Sequence, residues 1–252
     1  MISSIAIALI VLAIVFGAAL VGMFIRPMLP KHHLNDESRN VLQLGMGLMA
    51  TMAALLLSLQ LGSAKTSFDT QRNELASISA QIIFLDRALA RCGPDAKATR
   101  DELRGDVSRA IERTWPREHP LSSQSSSTPD AADVLYDKIQ ELSPSNDSQR
   151  SAKAQALTTS LSLGQTRWLM LEQQSNSASL SLVAVAVSWI TIIFIGLGLF
   201  APRNATVIIN LFLCAMAVSG AVFLILELYT PFGGMIRISS EPLRNALAHL
   251  SQ

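Results

Sequence analysis

Charge is what this sequence has least of. Of its 252 residues only 15% are Asp, Glu, Lys or Arg, where a soluble domain carries about 25%. That deficit excludes an ordinary solvated domain and points to a chain that spends much of its length in an apolar solvent. Neither sign dominates, since Lys and Arg number 20 against 19 for Asp and Glu. A balanced chain sets up no basic field and carries no acidic tail, so nucleic acid is not an expected partner. Cysteine is scarce: Cys92 in the polar middle and Cys214 in an apolar run have no spacing suited to a disulfide framework or a thiolate metal site. Strand-like alternation is confined to "MIRIS", residues 235–239. Catalytic signatures are lacking too, with no GxSxG, HExxH, P-loop or GxGxxG after a strand. Acids in the middle of the chain, such as Asp86, Asp101, Glu102, Asp106 and Glu112, are interleaved with Arg87, Arg100, Arg104, Arg109 and Arg113. Interleaving of this kind marks solvated helix faces. No enzyme activity, cofactor or bound metal is therefore expected.

What the chain does have is apolar length. A bilayer core of about 30 Å needs roughly 20 apolar residues in helix, and four stretches meet that need: Ile2–Ile25, Val41–Gly62, Leu180–Phe200 and Ala205–Tyr229. The first has no positive n-region and outruns the roughly 7–15 apolar residues of a signal peptide, so it reads as a retained anchor. Short links, Arg26–Asn40 and Ala201–Asn204, join the stretches in pairs. The expected fold is an all-α membrane protein with four transmembrane helices in two hairpins and a helical extramembrane block between helices 2 and 3. Its divisions are residues 1–62 and 179–230 for the hairpins, 63–178 for the block and 231–252 for a C-terminal docking tail. Four crossings put the N-terminus, the block and the tail on one face. Arg26, Lys31, Arg39 and Arg203 in the links are nearly balanced by Lys65, Arg72, Arg167, Arg237 and Arg244 on the other side. Positive charge thus leaves both orientations open.

Within the block, Leu61, Phe68, Leu75, Ile78, Ile82, Leu85 and Leu89 recur at spacings of three and four, interrupted by Gln71. That pattern predicts one continuous helix with a coiled-coil-like seam, stopped at "CGPDA" by Gly93 and Pro94. A matching seam, Ala154, Leu157, Leu161, Gly164, Trp168 and Leu171, runs towards the third apolar stretch. The two predict an antiparallel stalk. Between them, Lys97–Trp115 places Leu103, Val107, Ala110 and Ile111 on one face, and Pro129–Leu142 does the same with Val134, Leu135, Ile139 and Leu142. Thr128 and Pro129 suit the start of the second of these helices.

Several residues are candidates for function. His32 and His33 lie beside Asp36 and Glu37, but adjacent histidines splay apart and no third ligand is fixed by spacing, so a structural role is favoured. In the second apolar stretch Gly47, Thr51, Ala54, Ser58 and Gly62 fall on nearly one helical face, flanked by Met46, Met49 and Met52. Such a face serves either close helix packing or the lining of a narrow pore that gates by dewetting. Polar groups inside the apolar runs are few: Gln60, Asn210 and Glu227. An acid at that depth is a functional candidate, though Glu227 lies close enough to the end of its stretch to snorkel or to pair with Arg237. Pro231 stops the fourth helix, and Gly233 and Gly234 turn the chain so that "MIRIS" and residues 242–250 dock back on the block.

Two stretches, Leu29–Leu75 ("LPKHHLNDESRNVLQLGMGLMA…") and Leu199–Leu247 ("LFAPRNATVIINLFLCAMAVSG…ELYTPFGGMIRISSEPLRNAL"), carry a likeness. They resemble a family of bacterial membrane proteins called bestrophin-like. Bestrophins are pentameric ion channels with four membrane helices per subunit, in which the second helix forms the pore neck and a Pro-Phe-Gly turn follows the fourth. The resemblance implies a homo-oligomeric multi-pass protein of the bacterial inner membrane, a pentamer if it assembles as bestrophins do, that passes small ions through a pore lined by Gly47, Thr51, Ala54 and Ser58. It also implies that Glu227, Pro231, Phe232, Gly233, Gly234 and Arg237 form a coupling turn. Two family features are missing: no acidic run follows the turn, and no Phe ring lines the second helix. Calcium gating is therefore not implied. The alternative reading is a non-conducting, membrane-anchored scaffold or stress sensor whose helical block binds a partner protein.

Overall fold

The structure is a computed structural model that describes residues 3–28, 36–115, 131–175 and 180–250. His32 and His33 lie outside the described residues, as do the side chains of Asp36 and Glu37 and the start expected for a helix at Thr128 and Pro129. Eight α-helices follow one another among the described residues: α1 (Ser4–Ile25), α2 (Asp36–Arg91), α3 (Lys97–Thr114), α4 (Ala131–Glu141), α5 (Asp147–Ser175), α6 (Leu180–Phe200), α7 (Ala205–Leu228) and α8 (Glu241–His249). Four are long and apolar enough to cross a membrane, over Ser4–Ile25, Asn40–Arg91, Ser181–Phe200 and Ala205–Leu228. Residues 235–239 form no strand. The amides of Met235 and Ile236 donate to a carboxylate and that of Ile238 to a turn carbonyl, which takes them out of any extended ladder.

The chain divides into two compact units, the first made of Met1–Phe68, Ala178–Thr230 and Gly234–Ile236. At its centre α1 packs along α6 and α7, burying Val11, Val15, Ala19, Ile190, Phe194, Ala215 and Val222. Closeness here depends on missing side chains. A Cβ on Gly22 would stand 2.2 Å from the carbonyl oxygen of Ile195, and one on Gly198 would stand 2.0 Å from that of Ala19. Both obstacles are backbone, which cannot swing aside, so α1 and α6 touch main chain to main chain. Ser219 donates to the Ala8 carbonyl at 2.6 Å, satisfying a hydroxyl that apolar surroundings would otherwise leave bare. Phe16 meets Phe212 edge to face at 5.3 Å, the orientation that ring quadrupoles prefer.

Asp69–Ser177, Pro231–Gly233 and Arg237–Gln252 make up the second unit. The C-terminal part of α2 buries Leu75, Ile82, Leu85 and Leu89 as its periodicity predicts, with Gln71 and Ser79 buried among them, whereas Ile78 of the expected seam is half-buried and Leu61 is exposed. Gly93 ends the helix at φ +101°, a conformation that side chains with a Cβ rarely adopt. A short turn, Pro94–Ala96, then leads into α3. Arg100 of α3 reaches back to Asp86 through two hydrogen bonds of 2.7 and 2.9 Å. Bonding to Asp86 raises the Arg100 pKa above its ordinary value, and the fork geometry fixes the angle at which α3 leaves α2. On α3, Leu103, Val107 and Ile111 are buried as expected, joined by Thr99, whereas Ala110 is exposed. On α4, Leu135 and Ile139 are buried, Leu142 just beyond it is half-buried and Val134 is exposed.

Along α5 the expected seam is corrected. Leu161 and Trp168 are 54% and 63% exposed, Ala154 is exposed, and Leu157 and Gly164 are half-buried. The buried face carries Ala152, Ala156 and Ser160 instead. A reading by largest side chain failed because α5, which packs on α4, buries small side chains, which let a neighbouring backbone approach. Lys153 extends across that contact and donates to the carbonyls of Gln140 and Leu142 at 2.7 and 2.8 Å, occupying acceptors that the C-terminus of α4 leaves open. Burial pushes the Cys92 thiol above its ordinary pKa, with Lys153 opposing that shift. The side chain of Leu171 and any continuity of α5 into α6 across residues 176–179 lie outside the described residues.

In the first unit Gly22 of α1 and Gly198 of α6 thus sit against main chain at their crossing, while a Cβ on Gly47 or Gly62 of α2 would meet nothing within 4 Å. Replacing Gly198 by Ala should cost about 1–3 kcal/mol, as overpacking does, and lower the Tm in detergent. Gly47→Ala and Gly62→Ala should leave the Tm of detergent-solubilised subunits within error; equal losses at Gly198 and Gly47 would refute the main-chain contact.

Candidate functional site

Two regions gather the residues singled out from sequence. The first is the apolar part of α2. At about 100° per residue, Gly47, Thr51, Ala54, Ser58 and Gly62 fall within an arc of about 80°, and all five are exposed. The edge that α2 buries carries Ala53, Gln60 and Ala64, roughly 140° further round by the same geometry. The small and hydroxylated face therefore looks away from the rest of its unit. Thr51 donates its hydroxyl proton to the Gly47 carbonyl at 2.9 Å, so its oxygen lone pairs are what the face presents. Next to this arc run Leu48, Leu55 and Leu59, exposed by 61%, 66% and 68%. Only 6% of the apolar window of α2 is buried, against 28–33% in the other three spans.

Met46 has a different place from the one expected beside a pore. Its sulfur fills the space that a Cβ on Gly196 of α6 would need, at 2.2 Å, so Met46 is a packing residue. Gln60 is 5% exposed, and its side-chain nitrogen has no hydrogen-bond partner among the described residues. Asn210 is exposed.

The second region is the end of α7. Glu227 is only 3% exposed, and such a carboxylate needs strong partners to be tolerated. They are main-chain groups: the N–H of Met235 and the N–H of Ile236, the latter at 3.2 Å, both donate to its Oε2. Gly234 makes this arrangement possible, because a Cβ there would stand 2.3 Å from that same oxygen and 3.2 Å from Thr230 Oγ1. Thr230 closes the helix end, its hydroxyl donating to the Leu226 and Glu227 carbonyls at 3.3 and 3.2 Å. The acid is thus held by the backbone that follows it, a solution that no pattern in the sequence announces. Arg237 itself is exposed, whereas Pro231 is buried.

Within the second unit, residues 231–233 and 237–250 are anchored by a side chain that sequence reasoning passed over. Trp115, at the C-terminal end of α3, is 2% exposed. Its Nε1–H donates to the Ile238 carbonyl at 2.9 Å, and its ring meets Phe232 edge to face at 5.7 Å. Ile238 in turn donates its N–H to the Pro231 carbonyl at 2.7 Å, and α8 packs on α3 with Leu243 and Ala246 buried. Phe232 thus has a packing partner and Trp115 a hydrogen-bond acceptor. Nothing in the sequence pairs the two, since the signal lies in a contact across a long separation. Gly233 meets nothing within 4 Å at its Cβ position.

Long apolar helices joined to a charged helical unit define a helical membrane protein. A family model described as a bestrophin-like domain matches residues 13–243, and the chain belongs to the bestrophin-like family. No curated protein and no solved structure matches it.

Gly234→Ala should push the Glu227 carboxylate off its two N–H donors and destabilise the protein by roughly 2–4 kcal/mol, the scale of a buried charge losing such bonds. Gly233→Ala should cost less than about 0.5 kcal/mol. Thermal unfolding of the two variants in one detergent checks both, and a Gly234→Ala protein as stable as the Gly233→Ala one would disprove the cradle.

Proposed function

We propose that the protein is a homo-oligomeric ion channel whose pore is lined by α2, with Gly47, Thr51, Ala54 and Ser58 facing the conduction path. The observation that carries this reading is the small, hydroxylated face of α2, uncovered by its own chain and flanked by a ridge of exposed leucines. A lone helix in lipid gains nothing from such a division. Copies arranged round an axis would put the leucines against neighbours and the small face inward, leaving a narrow path with few charges. Membership of the bestrophin-like family supports five copies and two hairpins, α1 with α2 and α6 with α7. The 56 residues of α2 amount to about 84 Å of helix, far more than a bilayer core of about 30 Å, so α2 would carry on from the pore into the block. Glu227, Pro231, Phe232, Gly233, Gly234 and Arg237 are proposed as the turn that couples α7 to the tail. We place the chain in the bacterial inner membrane and assign it no catalysis. A second reading, a membrane-anchored scaffold, draws on the exposed Leu161, Trp168 and Leu169 of α5 as a surface for a protein partner.

In proteoliposomes the wild-type protein should pass small ions, and Thr51→Trp should cut the flux at least about tenfold by filling a dewetting constriction. Mass measurement of the detergent complex should give several subunits. Flux absent from the wild type, or unchanged by Thr51→Trp, would favour the scaffold.

A further inference from the structure

At one end of the first unit, two arginines tie together segments far apart in the chain. Arg26, just past the C-terminus of α1, donates from Nη1 to the Ala201 carbonyl at 2.8 Å, at the C-terminal end of α6. Arg203, in the link from α6 to α7, donates from Nη2 to the Met23 carbonyl at 2.9 Å, in the last turn of α1. The exchange is reciprocal, each guanidinium occupying an acceptor that the other segment's helix leaves open. Each bond orders its side chain but uses one of five N–H donors. No carboxylate pairs with either arginine among the described residues. Both residues are exposed. Beside them Phe24 is 71% exposed and Ile25 39%, and the Arg203 guanidinium carbon lies 5.6 Å from the centre of the Phe24 ring.

We propose that Arg26 and Arg203 hold the headgroup phosphate of an anionic phospholipid, with Phe24 and Ile25 against the upper part of its chains. Three observations converge. Two oriented guanidiniums present donors in the planar arrangement that phosphate oxygens accept. Their position, just beyond the ends of the apolar spans Ser4–Ile25 and Ser181–Phe200 and just before Ala205–Leu228, is the level at which headgroups lie. An exposed aromatic and an exposed aliphatic at the same level fit a lipid, since free phosphate would gain nothing from them. The site does not depend on conduction through α2.

The test uses the full-length protein in detergent and measures binding of phosphatidylglycerol and of phosphatidylcholine with the same acyl chains, by native mass spectrometry. Wild-type protein should prefer the anionic lipid. The double variant Arg26→Gln, Arg203→Gln should lose about 30-fold in apparent affinity for phosphatidylglycerol, the effect of removing two cationic side chains at a membrane surface, with phosphatidylcholine binding unchanged. If that variant does not fold, Arg26→Lys with Arg203→Lys decides. It keeps the charge but loses the guanidinium fork, and should bind at least about fivefold more weakly. Phe24→Ala, which leaves both carbonyl bonds in place, should weaken lipid binding and leave binding of inorganic phosphate as it was. Equal affinity for the two lipids, wild-type affinity in the variants, or full displacement of phosphatidylglycerol by millimolar inorganic phosphate would overturn the proposal.

Discussion

In an apolar solvent a polar group has no water to fall back on, and every carbonyl, amide and carboxylate must find its partner within the protein. Most of the specific contacts here answer that constraint. Ser219 spends its proton on the Ala8 carbonyl, and Arg26 and Arg203 cover carbonyls at helix ends. Glu227 is the extreme case: a buried charge at the end of an apolar helix, for which the chain folds back and presents two amides. The loop at 234–236 has its shape because a carboxylate needs those donors, and Gly234 is where it is because any side chain would occupy the carboxylate's place.

The same constraint accounts for how differently the membrane helices are used. α1, α6 and α7 share a core, with glycine at the tightest crossing. α2 gives that core only an edge, Ala53 and Ala64 with Met46 seated against Gly196, and leaves the greater part of its circumference open. Of the four candidate spans α2 is the least covered by its own chain, and it bears the small, hydroxylated face beside a ridge of exposed leucines.

Much of this was legible in the sequence. Apolar length located three of the four candidate spans to within a few residues and the start of the second, whose helix runs on to Arg91, and Gly93 with Pro94 marked the end of α2. Periodicity found the buried faces of α3 and of the C-terminal part of α2 because bulky residues there do face inward, but it carried the seam too far back, to Leu61, which is exposed. It failed on α5, where Ala152, Ala156 and Ser160 are buried and Leu161 and Trp168 are exposed: packing chose closeness over bulk, which a ranking by hydrophobicity cannot register. The apparent strand at 235–239 failed for a related reason, since its amides answer to Glu227 and Pro231, partners that no local pattern reveals. Glu227 and Gly234 could be suspected individually. That one makes room for the other, and that Trp115 receives Phe232 and Ile238, are facts of three dimensions.

The crossing of α1 and α6 has a consequence for how such a sequence can drift. Gly22 faces the main chain of α6, and Gly198 faces that of α1. A methyl group gained at either position cannot be absorbed by a neighbouring rotamer, because no side chain stands opposite; two whole helices would have to part. Once they had parted, the second glycine would have lost its reason to remain small. The two positions, remote in the chain, are therefore free to change only in company, and a relative that has lost one glycine should be found to have lost the other.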